Sequence, residues 1–131
     1  MRIANLICSS ALLALAGGSA ANAATADPND DYDCATTFQF FYKMAKAKQA
    51  PADLLEQVLI MNMWYAEKWG RDHPGPMTRQ QFDHYSEIVT AMGDNPKAYR
   101  DTLNTCSSRA NSDPGFPAFV SAFRKNPPTP R

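Results

Sequence analysis

Two cysteines constrain this chain more than any other feature. Residues 1–23 read as an export signal: Arg2 supplies a positive start, Leu6 to Ala16 is mostly small and apolar, and Ala21-Asn22-Ala23 has the small-x-small cleavage pattern. One of the three cysteines, Cys8, falls inside that segment, after Ile7 rather than a small residue, and does not resemble a lipid-attachment site. Cys34 and Cys106 remain, and an even pair in an oxidising compartment implies one disulfide. It would close a loop of 72 residues and, on the chain-entropy view, contribute roughly 4 kcal/mol to a domain of this size. Neither cysteine has the C-x-x-C spacing or the adjacent histidine that metal or redox use calls for.

The fold must therefore bring residues 34 and 106 together, and helical periodicity offers a way. Asp33 is positioned to cap a helix over 34–48, where Cys34, Phe38, Phe41 and Ala45 step by i, i+4, i+7 and i+11. Pro51 suits the first turn of a second helix over 51–69, and Gly70 suits its left-handed end. Apolar residues from Leu54 to Trp69 surround most of that helix, which places it in the middle of the domain. Thr78 and Gln81 form a capping-box pair, with Met77 and Phe82 at the two staple positions, so a third helix is expected over 78–92 with Gly93 as its stop. Asn95 and Pro96 open a fourth over 95–110, carrying Tyr99, Leu103, Cys106 and Ala110 on one stripe.

Past the Asp113-Pro114-Gly115 break, Phe116, Phe119, Val120 and Phe123 mark a short amphipathic helix over 116–125. The expected fold is all-α: a four-helix up-down bundle with this fifth helix packed on it. Up-down-up-down topology places the start of the first helix beside the end of the fourth, which is what a Cys34–Cys106 bridge needs. The expected organisation is a flexible acidic leader at 24–33, one helical domain at 34–125, and a disordered proline-rich tail at 126–131.

Charge and motifs exclude several functions. The chain carries thirteen acidic and thirteen basic residues, so without Arg2 it is about neutral and has no basic footprint for nucleic acid or an anionic membrane. No later window approaches the apolar length of a membrane span. Ser107 and Ser108 lack a G-x-S-x-G context, and no nucleophile, base and orienting acid come from neighbouring positions, so no enzyme and no catalytic residue is expected. No C-x-x-C-H is present for haem, and no cofactor is expected.

Two binding chemistries remain. Asp72-His73 and Asp83-His84 repeat an acid-imidazole pair, with Glu87 one turn further on, so His73, Asp83, His84 and Glu87 are candidate zinc or copper ligands. His84 sits at the rim of its helix, which favours a solvated or capping role. Met61 and Met63 diverge on their helix, and Met44, Met61 and Met92 read as core fillers rather than copper ligands. The second chemistry is apolar. Seven Phe, five Tyr and two Trp exceed what one thin bundle seam requires, and Trp69, His73, Phe116, Phe119 and Phe123 form the candidate binding surface. The aromatic face of the fifth helix either covers a groove in the bundle or meets another molecule.

In layout alone, a small exported helical protein with one long-range disulfide resembles the bacterial acid-stress periplasmic chaperones and, equally, the periplasmic immunity proteins that neutralise cell-wall-degrading toxins. The resemblance rests on no motif and implies no residue roles. The functional expectation is a periplasmic or secreted, non-catalytic protein that binds another protein or an apolar ligand, with periplasmic zinc or copper binding as the alternative.

Overall fold

The structure, a computed structural model, describes residues 26–129, which form five α-helices: α1 (Asp31–Ala47), α2 (Ala52–Asp72), α3 (Arg79–Asp94), α4 (Pro96–Ser112) and α5 (Phe116–Lys125). Among the described residues there is no strand, and no helix is long and apolar enough to cross a membrane. The expected export signal lies outside the described residues, as do the last two residues of the tail.

Local chemistry sets each boundary, in four places differently from expectation. α1 starts ahead of residue 34 because Asp30, not Asp33, is the cap: its carboxylate accepts the Asp33 N–H at 3.0 Å. Asp31 and Asp33 then fall in the first turn, where the helix dipole favours negative charge. The last residues of the expected leader are thus helical, and Asp27 N–H reaches forward to Asp33 Oδ2 at 2.7 Å.

Gly70 does not end α2, nor Gly93 α3; each helix continues two residues and one residue further, to Asp72 and Asp94. A helical glycine costs about 1 kcal/mol relative to alanine, which tertiary packing can overcome. The left-handed residue of the α2–α3 connection is Gly75, at φ 110°. Pro51, expected in the first turn of α2, stands just outside it at the cap position, while the start signals of the later helices hold. Thr78 Oγ1 accepts from Gln81 N at 3.2 Å while Gln81 Oε1 accepts from Thr78 N at 2.8 Å, a complete capping box. Asn95 caps α4 through Ala98 N, and α5 spans its expected residues.

Cross-helix pairs fix the directions. α1 runs antiparallel to α2, with Tyr32 beside Trp69, the Ala35 carbonyl on Asn62, and Phe38 stacked on Tyr65. It runs antiparallel to α4, through Asp31–Arg109, Cys34–Cys106 and Phe41–Tyr99. It runs parallel to α3, through Tyr32–Gln81 and Asp33–His84. These are the directions of an up-down-up-down bundle. The disulfide forms between fully buried cysteines whose Cα atoms are 5.7 Å apart.

The core divides in two. One cluster joins Phe38, Val58, Ile60, Trp64, Tyr65 and the half-cystines; the other joins Ile88, Met92 and Tyr99. The division follows from the packing, since α2 and α3 each pack on α1 and α4 but not on each other. The expectation that α2 lies in the middle is corrected: Leu54 and Met63 are each 37% exposed, and the central pair is α1, which touches α2, α3 and α4, with α4, which touches all four other helices. α5 lies over α2 and α4, with Phe116 and Phe119 in edge contact with Trp64 at 5.4 and 5.3 Å. Its aromatic face therefore covers a groove of the bundle, and a buried Phe of this kind contributes about 1.5–3 kcal/mol.

Candidate functional site

Because α2 and α3 stand apart, a cleft of about 580 Å³ opens between them, floored by α1 and closed at one end by the 73–77 loop. That volume suits a small organic ligand or a few side chains. Sequence spacing explains the walls. Tyr32, Ala35, Thr36 and Gln39 share one face of α1; Asn62, Ala66, Trp69 and Gly70 share one face of α2; Phe82 and Tyr85 lie one turn apart on α3.

The floor is firmly fixed. Tyr32 Oη donates to the Gln81 carbonyl at 2.9 Å and lies 3.7 Å from Met77 Sδ, which ties α1 to the start of α3. Burial, with the Asp33 charge beside it, raises the Tyr32 hydroxyl pKa, so it remains a donor at neutral pH. Its ring tilts against Trp69 at 5.1 Å and stacks on His84 at 6.0 Å. Beneath it, buried Asp33 meets His84 Nε2 at 2.8 Å through Oδ1, while Oδ2 takes the Asp27 N–H. Burial pushes the Asp33 carboxyl above the ordinary carboxylate range, against the two hydrogen bonds that pull it down. On α2, Asn62 Nδ2 donates to the Ala35 carbonyl at 2.8 Å, which holds the α2 wall in register with the α1 floor.

At the loop end, His73 stacks on Trp69 with ring centres 4.6 Å apart, and its Nδ1 lies 3.0 Å from the Trp69 carbonyl. A carbonyl only accepts, so Nδ1 carries the proton there. His73 is thus a capping histidine for α2. The rim is apolar and open: Met77 is 50% exposed and Phe82 56%. No Asp, Glu, Lys or Arg lines the cleft.

The residues singled out from sequence separate into three places. Trp69 and His73 belong to the cleft wall. Phe116, Phe119 and Phe123 lie under α5 against the first core cluster. The metal candidates are not gathered: Asp83 pairs with Arg79 at 3.1 Å, His84 faces Asp33, and His73 faces Trp69. Among the described residues no three His, Cys, Asp or Glu side chains come together as a metal site would require. The loop over residues 70–77, Met77 included, was expected as a contact surface beside Trp69, and the aromatic cleft residues that sequence reasoning passed over are Tyr32, Phe82 and Tyr85. Phe82 was legible only as a helix-start staple with Met77, although two large apolar residues flanking a cap also signal a surface in need of a partner.

Compared with protein-family models, with curated proteins and with solved structures, the chain finds no match in any of the three.

Proposed function

We propose that this is an exported, non-catalytic binding protein of the periplasm or extracellular space, and that its site is the cleft between α2 and α3, which takes an uncharged, predominantly apolar ligand. The observation that carries this reading is the lining: Tyr32, Trp69, Phe82, Tyr85 and Met77 supply aromatic and thioether surface, and not one formal charge interrupts it. A fifth of the chain is charged, so a cavity of this size without Asp, Glu, Lys or Arg favours a neutral occupant. Amide groups of Gln39 and Asn62 and the imidazole of His73 provide the few polar contacts that orient a ligand. Export is supported by the sequence of residues 1–23 and by the buried disulfide.

The test uses the neutral dye N-phenyl-1-naphthylamine, whose fluorescence rises in apolar sites. Saturable enhancement in the micromolar range is expected, and its loss in Gly70→Leu, because a side chain built on Gly70 points into open space. No enhancement, or enhancement indifferent to Gly70→Leu, would count against the cleft. Zinc or copper binding draws less support, since His73, Asp83 and His84 each already face a different partner.

A further inference from the structure

Resting on that reading of the cleft, we propose that its occupant is an α-helical segment of a partner protein, about three turns long, which presents an uncharged apolar face to the trough and takes the place of a helix that the bundle lacks. α2 and α3 are the only consecutive helices among the described residues that do not pack together, so α1, α2 and α3 form three sides of a trough. The molecule already shows how such a groove is filled. On the other side of α2, the groove shared with α4 is covered by α5, a helix of 10 residues whose Phe116, Phe119 and Phe123 face inward. Ten residues span about 15 Å, and the α2 wall of the cleft, the nine residues from Asn62 to Gly70, spans about 14 Å.

The lining fits a helix in detail. Ala66 and Gly70, one turn apart on α2, face the cleft beside Ala35 of α1, and small residues in this arrangement let a second helix backbone approach closely. Gly70 is not required by the fold: it is helical, and a Cβ there would meet nothing within 4 Å. Glycine at such a position lowers helix stability, and the space it leaves is space for an occupant. Charge completes the match. The lining is uncharged, whereas the flanks carry both signs, exposed Arg71 and Asp72 on α2 and the Arg79–Asp83 pair on α3. A helix with an apolar face and mixed-charge flanks satisfies both regions, and exposed Met77 and Phe82 are the anchors that would close over it.

The probe is a fluorescein-labelled, acetylated peptide of about 14 residues, Ala- and Gln-rich, with Leu, Phe and Leu spaced i, i+4 and i+7 and with Glu and Lys on its flanks. Its anisotropy is followed on titration with the full exported protein, in parallel with N-phenyl-1-naphthylamine. Expected are saturable micromolar binding, displacement of the dye, and loss of affinity of about tenfold or more in Gly70→Leu and independently in Ala66→Leu, both checked for wild-type circular dichroism. A peptide carrying a central proline should fail to bind. Dye binding without peptide binding, equal binding of the proline peptide, or indifference to both substitutions would each overturn the helix while leaving the apolar cleft standing. Failure of dye and peptide together would remove both.

Discussion

Tyr65 Oη donates a 2.6 Å hydrogen bond to the carbonyl of Cys106, so the one side-chain hydroxyl of α2 is fastened to the half-cystine of α4. Burial pushes that phenol up to about 12. The folded state therefore holds the proton more tightly than the unfolded chain, whose tyrosines titrate near 10. The stability this contributes is complete below about pH 10 and is lost as pH rises from there towards 12. Tyr65→Phe should lower the urea-unfolding free energy by about 1 kcal/mol at neutral pH and should flatten the loss of stability in alkali. An unchanged alkaline slope would contradict the raised phenol, and an unchanged unfolding free energy at neutral pH would contradict the bond.

The disulfide gives a prediction from loop entropy. It links positions 72 residues apart, and Cys106→Ser should cost roughly 4 kcal/mol, seen as a marked fall in Tm under non-reducing conditions. The same fall should follow when reductant is added to the wild type under partly denaturing conditions. A variant that melts with the wild type would contradict the staple.

Gly70 separates stability from binding. Because it is helical and faces open space, Gly70→Ala should raise the urea midpoint by the equivalent of about 0.5–1 kcal/mol. A fall in stability would show that something already occupies the space beside the Gly70 backbone.

Asp33 reports on the floor of the cleft. Its carboxyl is raised chiefly by burial, so the native state binds its proton more tightly than the unfolded chain does. Stability should therefore fall as pH rises from about 4, the ordinary carboxylate value, through the raised native value. A carboxyl titration by NMR should place the Asp33 midpoint above that ordinary value, and the stability of the wild type relative to Asp33→Asn should decline across the same interval. A midpoint at or below 4 would reverse the sign.

Much of the fold was legible because its signals are local. The Thr78–Gln81 capping box, Asn95 with Pro96, and the spacing of Phe116, Phe119 and Phe123 each specify an element from a few adjacent residues, and the structure contains all three. The start of α1 was misplaced because four aspartates crowd residues 27–33 and several could serve as cap. The choice of Asp30 is settled by distant partners, notably Arg109, which donates to Asp31 at 2.8 Å and to the Pro28 carbonyl at 2.7 Å. Gly70 and Gly93 were read as stops by intrinsic propensity, yet each lies within its helix and exposed, with the helical caps at His73 and Asn95. The cleft was the least legible feature. Trp69 and His73 were picked out as exposed aromatics beside irregular backbone, but the gap they border exists only because α2 and α3 take opposite sides of the α1–α4 pair, and no residue pattern announces a missing contact.

The Cys34–Cys106 bond encloses α2, α3, the loop between them and nearly all of the cleft within one covalent ring, whereas α5 and the tail hang outside it. A single cut inside the ring, at the 73–77 loop for example, leaves the two pieces joined through sulfur, while a cut between Cys106 and Phe116 leaves α5 held by non-covalent contacts alone. The cleft is thus tethered on both sides by a covalent bond, and its neighbouring cover on one side only.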